Sequence, residues 1–142
     1  MELIINRDSV CLGDDVTDHK KVFVLNDEAT YEELFEIIIQ EKYLPNVSGN
    51  NVVWVLSSAD CFCICSYFTR TKKMKMGLAE KQLNKICRNN HELIIKYYSS
   101  PRKWREKIVE VYEGDTHAMW HDGWLDELKY CDYVMALGEE SI

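Results

Sequence analysis

Hydrophobic and polar positions alternate along this chain with two different periods. Near the N-terminus Leu3 and Ile5 fall on one side of an extended segment and Ile4 on the other, which predicts a strand over 2–10 that ends in the turn signal Gly13-Asp14-Asp15. Residues 20–25 read as a second strand, with Val22 and Val24 alternating against Lys21, Phe23 and Leu25. The two predict a hairpin with its loop at 11–19. Thr30 followed three residues later by Glu33 forms a capping box, in which side chains satisfy backbone donors that a helix start leaves orphaned. Leu34, Phe35, Ile37, Ile38 and Leu44 then supply an apolar stripe, and Pro45 with Ser48-Gly49-Asn50 stops the helix.

Further on, the apolar runs 52–56 and 61–68 flank the polar turn Ser57-Ser58-Ala59-Asp60 and predict a buried antiparallel hairpin. Residues 69–76 read as a basic loop. Leu78, Leu83, Ile86 and Cys87 give a short amphipathic helix, and 93–98 a further strand. Pro101 after Ser100 marks a helix start, where the donor that proline lacks has no partner to lose. Trp104, Ile108, Val111 and Tyr112 line one face of that helix and Gly114 closes it. Residues 122–129 read as a short helix and 130–137 as a final strand. The order predicts a single α+β domain over 1–142, with a mainly antiparallel sheet and two to four helices.

Composition agrees with a packed globular domain, at 46% hydrophobic and 29% charged residues. No apolar run approaches the length of a membrane span or export signal, so the expected location is the cytoplasm and no membrane partner is expected. The six cysteines are then expected to be reduced. Cys61, Cys63 and Cys65, two apart on an extended segment, would share one face of a strand.

Charge changes the picture more. The chain carries 17 Lys+Arg against 24 Asp+Glu, a net of −7, in three blocks. Residues 1–60 sum to −8, residues 61–107 to +9, and residues 108–142 to −8. Such segregation has two readings: acidic and basic parts that meet within the fold, or an acidic face that docks a basic protein.

The candidate chemistry is weak. His117 and His121, four apart, would share a face on a helix, where Asp115 or Asp122 could add a carboxylate, but the residue after His117 is Ala118 and not the glutamate of a zinc peptidase helix. No Cys-x-x-Cys spacing occurs, and same-face strand thiols lie about 7 Å apart, too far to converge on one metal. The six glycines are isolated from one another, so no phosphate-cradling loop is present. Accordingly no catalytic residue, metal or cofactor is expected. A nucleophilic cysteine with a histidine and a carboxylate, assembled in space, stands as an enzyme alternative. The basic segment 70–107, with Tyr97, Tyr98 and Trp104 interleaved, stands as a nucleic-acid alternative that the acidic flanks disfavour.

The leading candidate is a protein-docking surface in the acidic C-terminal segment. Trp120 lies among Asp115, His117, His121, Asp122, Asp126 and Glu127, and tryptophan is enriched at binding hot spots. Asp14, Asp15 and Asp18 in the first loop form a second acidic cluster, which lacks the ligand alternation of a calcium loop.

The order hairpin, capped helix, apolar strand over 2–56 resembles a β-grasp layout. In overall character the chain is similar to the small acidic immunity proteins that bacteria encode beside polymorphic or contact-dependent toxins. That resemblance carries no site residues. It implies a specific, non-catalytic inhibitor that covers a basic toxin or nuclease site with carboxylates.

Overall fold

In the computed structural model, residues 1–8, 19–45, 51–59, 61–76, 81–87, 91–113 and 124–140 are described. They form strands β1 (Glu2–Arg7), β2 (Lys21–Val24), β3 (Val53–Ser57), β4 (Cys65–Phe68), β5 (Lys73–Met76) and β6 (Glu92–Tyr98). The helices are α1 (Tyr31–Gln40), α2 (Leu83–Ile86), α3 (Pro101–Glu113) and α4 (Trp124–Glu140). One sheet holds all six strands in the order β2-β1-β6-β3-β4-β5. Every neighbouring pair is antiparallel except β1 and β6. The class is α+β with a mostly antiparallel sheet, as the periodicities predict.

The pleat assigns residues to two faces. Leu3, Ile5, Phe23, Trp54, Leu56, Leu93 and Ile95 share the first face with Tyr31, Leu34, Phe35 and Ile38 of α1 and Leu83 of α2. Val53, Val55 and Phe68 of the second face meet Trp104 and Ile108 of α3 and Cys131 and Val134 of α4. Strand β3 is therefore buried on both sides, which is why 53–56 reads as an unbroken apolar run. The second face is not covered from edge to edge. Helices α3 and α4 lie over its β3–β4 side, while Ile4, Val22 and Val24 on β1 and β2 are 39%, 52% and 72% exposed.

Local signals place α1. Thr30 Oγ1 accepts the Glu33 N–H at 3.2 Å, the expected half of the capping box. The helix ends before Pro45. Lys42 adopts a left-handed φ of 55°, and the Lys42 and Tyr43 amides bond back to Ile39 and Ile38, a Schellman stop.

Three expectations need correction. Residues 69–76 are not all loop, because 73–76 pair with β4 as the edge strand β5. Cys61, Cys63 and Cys65 do not share a strand face: only Cys65 lies on a strand, and Cys63 packs in the second core while Cys61 and Cys65 pack in the first. Residues 130–137 are helix, not strand, within a single α4 over 124–140. There Glu127, Cys131 and Val134 are buried at i, i+4 and i+7, a helical period that outweighs the β-favouring Tyr and Val residues. The hairpin–helix–strand order of the N-terminal half is present as expected, and β6 lies between β1 and β3, parallel to β1.

Candidate functional site

The residues expected to dock a partner fall into three groups. Asp14, Asp15, Asp18, Asp115, His117, Trp120, His121 and Asp122 lie outside the described residues. Asp126 is exposed on the first turn of α4. Glu127 is not on the surface at all. It is 3% exposed and shares the inward helical phase of Cys131 and Val134, so it is removed from the docking set.

Glu127 is a junction between layers. Its Oε1 accepts the Trp104 indole N–H from α3 at 2.8 Å and a short hydrogen bond from Ser66 Oγ of β4. Burial pushes the carboxyl pKa above its ordinary value, while the two donors and nearby Lys75 pull it back. A buried carboxyl with a raised pKa often marks an active site, provided it lines a cleft. This one is closed over by Trp104, which stacks on Phe62, so its chemistry is structural.

The cysteines give the same answer. Cys61, Cys63, Cys65, Cys87 and Cys131 are buried. Burial raises the thiols of Cys63, Cys65 and Cys131, and pushes Cys87 up to about 11. A nucleophilic thiol needs the opposite shift and access to solvent. Among the described residues no group of three His, Cys, Asp or Glu side chains is placed to hold a metal ion. No described helix is long and apolar enough to cross a membrane.

The aromatics of the basic segment are occupied. Trp104 is fully buried, Tyr97 packs on Trp54 at 5.1 Å and Tyr98 on Trp104 at 4.9 Å between ring centroids. None of the three is an open platform for a base. Part of the basic charge is also spent inside the molecule, where Arg105 binds Asp132 of α4 at 2.8 Å and Arg70 binds the Leu137 carbonyl.

The acidic feature that stands out was not singled out from sequence. Between Lys21 and Lys42 no cation occurs, while Asp27, Glu28, Glu32, Glu33, Glu36 and Glu41 do. Helix α1 buries Tyr31, Leu34, Phe35 and Ile38, so Glu33 and Glu36 fall on its opposite side, with the partly exposed Glu32 and Ile39, 41% exposed, along its flank. Asp27 pairs with the N-terminal ammonium at 3.0 Å and Glu41 with Lys21 at 2.7 Å. Glu28, Glu32, Glu33 and Glu36 have no ion-pair partner among the described residues. The signal was available in the cation-free run, which the capping and apolar patterns of the same helix overshadowed.

A shallow cleft of about 590 Å³ opens where the second sheet face is uncovered. Asn6, Lys20, Ser58, Phe62, Glu92 and Lys96 line it. Lys20 and Glu92 approach to 3.8 Å and Lys96 lies 5.9 Å from the Phe62 ring centre. Among the described residues the cleft offers mixed charge but no cysteine or histidine.

No protein-family model, curated protein or solved structure matches this chain.

Proposed function

We propose that this chain is a non-catalytic protein-binding module, an inhibitor of the immunity-protein kind that occupies a basic toxin or nuclease domain. The observation that carries this reading is the outer side of α1 and the turn before it, where Glu28, Glu32, Glu33 and Glu36 have no ion-pair partner among the described residues and the half-exposed Ile39 follows one turn after Glu36. Like charges four apart on a helix cost a few tenths of a kcal/mol, so Glu36, beyond the first turn that favours Glu32 and Glu33, is not there for helix stability. A carboxylate ridge steers a cationic partner, and an apolar residue within it supplies contact once the partner has arrived. The inert thiols of the core support the non-catalytic part of the reading.

Co-expression with the product of the adjacent reading frame tests it. A stable complex that suppresses that product's toxic or nuclease activity and weakens with added salt supports the proposal. If the adjacent product is soluble, folded and active in the presence of this chain, and the two do not associate at low salt, the proposal fails.

A further inference from the structure

We propose that the flank of α4 beside β5 binds single-stranded nucleic acid, with Tyr133 as the stacking ring and Lys72, Lys73, Lys75 and Lys129 as the cations along the backbone. This surface is separate from the outer side of α1, and the proposal does not rest on the docking reading above.

Strand register and a row of rings build the surface. In β5, Lys73 and Lys75 stand opposite Phe68 and Ser66 of β4. Phe68 packs in the second core and Ser66 donates to Glu127 of α4, so both lysines rise on the face where α4 lies. The Lys75 ammonium is 5.0 Å from the Tyr130 ring centre, and Thr71 hydrogen-bonds the Tyr130 hydroxyl at 2.6 Å. Arg70 reaches the Leu137 carbonyl, further along α4, at 3.2 Å. These contacts fix the β4–β5 turn against the helix. From there the rings run outward, Phe68 meeting Tyr130 at 4.8 Å and Tyr130 meeting Tyr133 at 5.9 Å between centroids. Tyr133 ends the row 55% exposed, and Lys129, one turn before it on α4, is exposed as well.

The occupant follows from the chemistry of these side chains. None of Lys72, Lys73, Lys75 and Lys129 has an ion-pair partner among the described residues. Lysine ammoniums act as point charges that follow phosphates, without the planar fork by which arginine grips a carboxylate, and Arg70 is turned to a carbonyl. An exposed ring among such cations takes a base of any identity, because every base has a π face. Bases are open to that stacking in a single strand. The ring comes from α4, outside the basic segment 70–107, so the closure of Tyr97, Tyr98 and Trp104 does not decide against it. The carboxylates of α1 do not oppose binding here. Glu33 and Glu36 lie beyond the other sheet face, with the roughly 10 Å thickness of α1 between them and the sheet, about a Debye length at 0.1 M salt. On α4 itself, Asp132 is held by Arg105 of α3, and Asp126 stands about 10 Å from Tyr133 along the helix axis.

Fluorescence anisotropy of a labelled oligothymidylate of about 16 nucleotides, titrated with the full chain, tests the proposal. A dissociation constant on the order of 10 µM is expected at about 0.1 M salt, and log K should fall against log salt with a slope of about −3 for four contacted phosphates. Tyr133→Ala is expected to weaken binding about tenfold and to leave that slope unchanged. Lys73→Gln with Lys75→Gln is expected to reduce the slope to about half. Circular dichroism of both variants should match the parent's. A duplex of the same length and polyglutamate serve as comparison ligands, and each should bind at least about tenfold more weakly than the single strand. A dissociation constant weaker than about 1 mM for the single strand at low salt overturns the proposal. So does binding that Tyr133→Ala leaves unchanged. Polyglutamate bound as tightly as the oligonucleotide also overturns it, and would assign the lysines to an acidic protein.

Discussion

Trp104 and Glu127 join α3 to α4 through one buried hydrogen bond, the indole Nε1 donating to Oε1 at 2.8 Å. Ser66 donates to the same oxygen, so three elements meet at a single acceptor. Removing that acceptor leaves two buried donors unsatisfied. Glu127→Ala is therefore expected to cost about 1–3 kcal/mol, and Glu127→Gln, which keeps an oxygen in place, much less. The pH dependence has a definite sign. Burial raises the folded carboxyl above its ordinary value of 4.5, so the folded state holds the proton more tightly than the unfolded chain does. The contribution is fully favourable below that ordinary value and is lost as pH rises through the folded one. Urea midpoints for the parent minus Glu127→Gln should accordingly fall as pH rises through this window. A pH-independent difference would refute the assignment.

The thiols yield a second prediction. With Cys87 near 11, its thiolate fraction at neutral pH is roughly one in ten thousand, and burial pushes Cys63, Cys65 and Cys131 the same way. Iodoacetamide applied to the native chain without reductant should leave Cys61, Cys63, Cys65, Cys87 and Cys131 unmodified, and denaturation should make all five react. Peptide mapping by mass spectrometry reads both states. Labelling of any of these five in the native chain would reopen the enzyme alternative.

What was legible in the sequence was local. The Thr30 cap, the Pro101 start and the hairpins at β1–β2 and β3–β4 each depend on residues a few positions apart, and each is present. The insertion of β6 between β1 and β3 depends on pairing across the length of the chain, which no local period encodes. Strand β5 was hidden because lysines that protect an edge read as a loop. Glu127 was misassigned because a carboxylate in an acidic run reads as surface until its helical phase is known. Once Tyr130 to Leu137 are placed on one helix with Glu127, the phase shared with Cys131 and Val134 turns it inward.

Lys42 supplies a third prediction, on the stop of α1. Its φ of 55° places a residue with a Cβ where glycine is favoured. Its side chain is exposed, so little packing is lost on truncation. Lys42→Gly is expected to stabilise the fold by about 0.5–1 kcal/mol, the steric gain outweighing the added freedom of the unfolded chain. The urea midpoint should rise with an unchanged slope. A lowered midpoint would show that the Schellman geometry is not strained at this residue.

The last prediction separates the two acidic surfaces as docking faces. Exposed carboxylates act over a Debye length and so govern encounter, whereas an apolar contact acts only after docking. Glu33→Gln with Glu36→Gln should slow association with a cationic partner on the order of tenfold at low salt, flatten its salt dependence and leave dissociation nearly unchanged. Ile39→Ala should do the reverse, speeding dissociation while association keeps its salt dependence. Asp126→Asn, on the exposed first turn of α4, is the internal comparison. If α1 is the docking face, that change leaves both rates close to the parent's in surface-plasmon measurements. If Asp126→Asn slows association and the α1 variants bind like the parent, the partner docks on the C-terminal acidic segment and the α1 assignment falls.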